Sequence, residues 1–241
     1  TPVIRSLALR NRRWVPCLSA LAALALVSCG SAGQSKEKVD PLTRLTPKLP
    51  AGFQVLPANN PWNTDISKYP VHPNSANFLS SVGLDKNLHP DFGPPYQGRP
   101  AGIPFEVVKG DQPKVPVTFS YPDESDPGPY PIPGNAMIEG GGEVECDRHV
   151  LVVDTDNAKL YEIFHSFKVD GGWKADSGAI FDLKSNKLRP ETWTSADAAG
   201  LPIFPGLVRY DEVMEKGEIN HAVPTMVLVA LFLLSGLQLL L

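Results

Sequence analysis

Cysteine is scarce. The 241 residues hold Cys17, Cys29 and Cys146, and only Cys146 lies in the body of the chain, which excludes an internal disulfide framework there. No CxxC pair and no Cys/His spacing of a zinc site occurs. Charge is also thin, at 20% of residues, below the usual quarter or so. No basic run or Arg/Lys stripe exists. With the four arginines of residues 1–28 set aside, 18 basic side chains meet 26 acidic ones, a net charge near −8. Nucleic acid is thereby excluded as the expected partner. A Gly-x-Ser-x-Gly elbow is missing too, so Ser195 with Asp197 is a weak hydrolase signal and reads more simply as a helix N-cap or tight turn.

What is abundant is proline, 25 residues, 16 of them within 51–135. Proline removes a donor and fixes φ, so long helices are excluded there and strands must be short or at edges. Hydrophobic residues make up 42% and include four Trp, enough for a core.

The N-terminus carries Arg10, Arg12 and Arg13 before a 14-residue apolar stretch, Trp14–Val27. That is an export leader with its n- and h-regions, too short to span a bilayer of about 30 Å. It ends Leu26-Val27-Ser28-Cys29-Gly30, which resembles a bacterial lipobox and implies acylation at Cys29. The expected organisation is a lipoprotein signal peptide over 1–28, a polar tether over 29–50, a β-rich domain over 51–223 and an apolar tail over 224–241. The expected place is the exported, membrane-anchored cell envelope, at the outer membrane or cell surface, with the membrane as partner through the lipid at Cys29. The tail, Met226–Leu241, is about 24 Å long as a helix. A short membrane helix, a buried segment and an out-of-frame or truncated end all remain as readings of it.

The expected fold is all-β, an antiparallel sandwich or jelly-roll-like domain with one or two short helices. Strands are predicted at 103–108, 115–121, 136–139, 149–153, 159–169, 173–183 and 219–223. Thr155-Asp156-Asn157 and Asp170-Gly171-Gly172 supply turns. Short helices are predicted at 76–82, closed by Gly83, and at 210–216, closed by Gly217. Phe53–Pro73 reads as extended loop, anchored by Asn60-Pro61-Trp62-Asn63.

Several segments together resemble a group of exported bacterial proteins of no assigned activity. They are Asn60-Pro61-Trp62-Asn63-Thr64, Asp147-Arg148-His149-Val150-Leu151-Val152-Val153, Leu160-Tyr161-Glu162, Trp193-Thr194-Ser195-Ala196-Asp197-Ala198-Ala199-Gly200-Leu201-Pro202 and Gly217-Glu218-Ile219-Asn220-His221-Ala222. The likeness covers about residues 53–222. It implies export and brings no catalytic role to any residue. Members continue past the His-Ala pair with polar, β-like sequence, where this chain has its apolar tail.

The candidate catalytic residues are Asp147, His149 and Glu162. On an extended strand Glu145, Asp147 and His149 share a face, suited to a cation or to acid–base work, beside the glycine run Gly140–Gly142. An ordinary solvated strand edge is the competing reading. A two-residue loop at Asp156-Asn157 sets Leu151 opposite Glu162 and puts Glu162 on that same face. A three-residue loop sets Val150 opposite it and makes Arg148 its diagonal neighbour. Cys146, on the alternate side, is expected to face the core and stay reduced. Trp62, Trp193 and His221 are the ligand-binding candidates. Trp62, Trp173 and Trp193 form either a sugar-stacking platform or core. His165 and His221 read first as hydrogen-bonded structural residues. No metal or cofactor is specified by the sequence. Two functions follow as expectations: binding or processing of cell-surface glycan, or a non-catalytic structural, partner-binding surface lipoprotein.

Overall fold

The computed structural model describes residues 47–85, 101–142 and 146–224. The leader, Cys29, most of the tether, Glu143, Glu145 and the tail beyond Pro224 lie outside the described residues. Among the described residues seven short strands carry the architecture: β1 (Phe105–Val108), β2 (Val117–Phe119), β3 (Val150–Asp154), β4 (Lys159–Phe164), β5 (Phe167–Val169), β6 (Gly172–Ala175) and β7 (Ser177–Asp182). They form a four-stranded sheet in the order β1-β3-β4-β7 and a three-stranded sheet in the order β2-β6-β5. Helical content is low, 17%.

The expectation of a purely antiparallel arrangement is corrected. Each sheet is mixed, because β1 runs parallel to β3 and β2 runs parallel to β6. A parallel pair needs a crossover between its strands. The β1–β3 connection runs through the proline-rich 109–133 segment, which includes β2, and the β2–β6 connection runs through β3, β4 and β5. Two expected strands do not form. Ala136–Glu139 runs into a 3-10 turn at Glu139–Gly141. Ile219–Val223 joins no sheet and is tied down instead by the Ala222 N–H, which donates to the Trp62 carbonyl at 2.7 Å.

β3 is buried along its whole length, as expected of a strand covered on both faces. Val150 and Val152 point into a cluster with Val117, Tyr130, Tyr161, Ile163 and Trp173, toward the three-stranded sheet. Leu151 and Val153 point the opposite way, into a cluster with Trp62, Phe105, Leu160 and Phe204. The second cluster is roofed by the 49–62 loop and by the segment that contains Phe204.

The β3–β4 register sets Leu151 opposite Glu162. The turn holds it there: the Asp154 carboxylate accepts the Asn157 N–H at 3.0 Å and its side-chain amide at 2.8 Å. β4 to β7 form one long hairpin whose pairing keeps a single register from Lys159–Asp182 to Val169–Gly172. Its tip is Asp170-Gly171, where Gly171 takes φ 77°, a conformation that favours glycine. The two long strands expected at 159–169 and 173–183 are therefore present, but bent. At the bend His165 has φ 51°, and so does Arg148, which the continued β3–β4 register places opposite it. The His165 N–H donates to the Asp147 carbonyl at 2.8 Å. The Arg148 Nε donates to the Ser166 carbonyl at 2.9 Å. At that corner the hairpin passes from the four-stranded sheet to the three-stranded one.

Among the helical elements, α1 (Ser75–Val82) ends at Gly83 as predicted, and none of its residues is buried. The second, Asp211–Lys216, is a wide π-type turn closed by Gly217 at φ 72°. No described helix is long and apolar enough to cross a membrane.

Candidate functional site

Residues 194–206 form a strap across the Leu151/Glu162 face of the four-stranded sheet. Its first turn is tied by its own polar groups. The Asp197 N–H donates to Ser195 Oγ at 2.9 Å, and Ser195 Oγ lies 2.7 Å from the Leu201 carbonyl. Ser195 is only 2% exposed, so it serves the turn and faces no solvent. Ser177 Oγ, on β7, donates to the Ser195 carbonyl at 2.7 Å.

His149 immediately precedes β3, and its ring is buried under the strap. Nε2 is 3.1 Å from the Ala196 carbonyl. Nδ1 is 2.6 Å from Glu139 Oε2. A carbonyl only accepts, so Nε2 carries a proton, and the second nitrogen faces a carboxylate. Burial alone would depress the imidazole pKa. The hydrogen bond and charge of Glu139, the Ala196 carbonyl and the charge of Asp147 outweigh it and hold the ring's pKa above its ordinary value. The pairing with Glu139 thus favours the imidazolium form of the ring.

Glu162 is fully buried. Its carboxyl accepts the Ile203 N–H at 3.0 Å and the Phe204 N–H at 2.8 Å. Burial among apolar neighbours pushes its pKa up to about 7, against the two N–H donors and the His149 charge, with Asp197 adding in the upward direction. Asp197 is raised as well, first by burial, with the N–H groups of Ala199 and Leu201 and the His149 charge opposing.

His149 and Glu162 therefore come together, with Glu139 and Asp197. Asp147 stays exposed. The face-sharing expected of Asp147 and His149 fails for a local reason: Arg148 at φ 51° interrupts the strand, and alternation does not carry across it. Glu139 was not among the expected residues. Its position ten residues upstream across a glycine run carries no periodic signal. Cys146 is half-buried, its thiol 3.5 Å from the Glu139 carbonyl, and burial pushes the thiol pKa up.

The tryptophans do not share a surface. Trp62 belongs to the cluster with Phe204, and Trp173 to the one with Tyr130. Trp193 is half-buried, with the Arg189 guanidinium 5.4 Å from its ring. His221 is held between Glu212, at 3.1 Å from Nε2, and the Ala222 carbonyl, at 2.8 Å from Nδ1. An open groove of about 360 Å³ lies at the free edge of the three-stranded sheet, bounded by Gln112, Val115, Ile132, Lys168, Val169 and Trp173. Of the tryptophans and titratable residues singled out in the sequence, Trp173 borders it, with Gly171 and Gly172 of the turn beside it.

Among the described residues no three His, Cys, Asp or Glu side chains converge as a metal set. Chemically, the cluster under the strap stores protons and fixes main chain. Both nitrogens of His149 and the carboxyl of Glu162 are committed to groups of the protein itself. No family model matches the chain, and no curated protein and no solved structure matches it.

Proposed function

We propose that this chain is a lipid-anchored envelope protein that binds a surface partner and performs no catalysis, built on a sandwich-like β domain held off the membrane by its tether. The observation that carries this reading is the internal commitment of the candidate catalytic groups. His149 is used up by Glu139 and Ala196, and Glu162 by Ile203 and Phe204. A catalytic pair needs a free face toward substrate. Binding is supported by the apolar side chains left in solvent. Ile66, Tyr69, Val71, Leu79 and Leu84 are all at least 41% exposed within residues 66–84 of the sequence, apolar side chains that a partner could cover.

Glycan processing would require Asp147, His149 and Glu162 around one cavity, and glycan stacking would require at least two tryptophans on one surface. No observation favours either. The lipid anchor is tested by mass spectrometry of the mature N-terminus, which is expected to show acylated Cys29. A soluble product cleaved elsewhere contradicts it. For the non-catalytic reading, the mature protein is expected to leave a panel of cell-wall glycans intact. Turnover that Asp147→Asn abolishes would overturn it.

A further inference from the structure

We infer that the Thr194–Leu201 half of the strap is a proton-held cover, closed while His149 is a cation and released when the ring loses a proton. The geometry carries this. Each ring nitrogen faces an acceptor, at 2.6 Å and 3.1 Å. A neutral imidazole has one N–H and one lone pair. If Nε2 gives its proton to solvent, the Ala196 carbonyl loses its donor. If Nδ1 does, a lone pair confronts the Glu139 carboxylate at hydrogen-bond distance. The first loss strands the carbonyl of buried Ala196, which is costlier than the bond itself was worth, and the second sets a lone pair against a carboxylate.

The two halves of the strap are anchored differently. The 203–204 end is held by Glu162 and by the burial of Phe204, which packs edge-on against Phe105 with ring centroids 4.9 Å apart. The 194–201 half is pinned at its two ends, where the Thr194 N–H donates to Glu124 Oε2 at 3.0 Å, the Thr194 carbonyl accepts from Arg189 Nε at 2.7 Å and Leu201 packs partly on the cluster with Phe204; between those ends it rests on His149 through Ala196 and on Ser177 through Ser195. Gly200, at φ 73°, turns the chain just before Leu201. Release at one end therefore need not unfold the other.

The charges that face His149 come from every element around it. Asp147 and Arg148 precede it on its own segment. Glu139 comes from the 3-10 turn, Glu162 from β4 and Asp197 from the strap. Glu139 and Asp147 act on the ring as charges that favour the cation. The Phe164 ring lies 5.5 Å from the imidazole. Opening would present that ring, the imidazole and Ser177 to solvent, as a small surface absent in the closed state.

The test uses the mature full-length protein from pH 5.5 to 9. Amide exchange, corrected for its intrinsic pH dependence, gives protection factors for 194–201 and for β3–β4. Nitrogen NMR of the His149 ring gives its protonation directly. Protection of 194–201 is expected to fall at least tenfold with the midpoint of ring deprotonation, while β3–β4 stay protected. Glu139→Gln is expected to move both midpoints down in pH together. A ring that titrates with no change in strap protection overturns the inference, as does a ring with one proton at pH 5.5. If Glu139→Gln unfolds the sheet, coincidence of the two midpoints in the unmodified protein still decides.

Discussion

Burying Glu162 has a measurable consequence for stability against pH. The carboxyl titrates ordinarily near 4.5 and in the fold near 7. The folded state thus keeps a proton that the unfolded chain sheds. Stability from this group is complete below about pH 4.5 and is lost as pH rises through 7. At 1.36 kcal/mol per unit the shift corresponds to roughly 3 kcal/mol. His149, also raised, acts with the same sign above 6.5, and Asp197 above 3.8. The depressed carboxyls Asp65, Asp156 and Asp182 act in the opposite sense, only in acid, and are solvent-screened. Urea unfolding at pH 5, 6, 7 and 8 is therefore expected to give falling midpoints. Glu162→Gln keeps an acceptor for Ile203 and Phe204 and removes the titration. It should match the parent within about 1 kcal/mol at pH 5 and exceed it by up to roughly 3 kcal/mol at pH 8. A parent protein that gains stability from pH 5 to 7, or parallel profiles for the two proteins, refutes the reasoning.

Phe204→Ala removes a fully buried ring that packs on Phe105 and is expected to cost about 3–5 kcal/mol in denaturant unfolding. Gly178→Ala places a Cβ 2.5 Å from the Phe119 ring and 2.8 Å from Tyr130 Oη, with an expected loss of about 1–3 kcal/mol by the same measurement. Lys159→Ala breaks a 2.9 Å surface pair with Asp182 and is expected to change stability by less than about 1 kcal/mol.

Much of the fold is legible where local pattern and tertiary environment agree. β3 and β4 read as strands because a continuous apolar run meets a turn-forming Thr155-Asp156-Asn157. The helix at 75–82 shows its stop in Gly83. The bend of the long hairpin is not legible, since Arg148 and His165 adopt positive φ without being Gly or Asn. Their conformation is imposed by the crossing between sheets. The parallel pairs are equally hidden, because β1 and β3 are separated by some forty residues and no local signal chooses their direction. At the site, the pairing of Leu151 with Glu162 was one of two registers the loop allowed. The partners of Glu162 are main-chain N–H groups of Ile203 and Phe204, and those of His149 include the Ala196 carbonyl. Main-chain groups are present at every residue, so side-chain patterns cannot single them out.

The most direct test of the central claim, that His149 is a structural residue and Asp147 an exposed charge that carries no packing, is a side-by-side thermal unfolding of His149→Ala and Asp147→Asn at pH 6. Asp147 is exposed and its loss of charge is expected to change stability by no more than about 0.5 kcal/mol. Removing the imidazole leaves the carbonyl of buried Ala196 without its donor and Glu139 with only the main-chain N–H of residue 149, and is expected to cost about 1–3 kcal/mol, with a clear drop in Tm. Unchanged Tm for both variants, with loss of binding or turnover in each, would contradict the account and make the pair a working site.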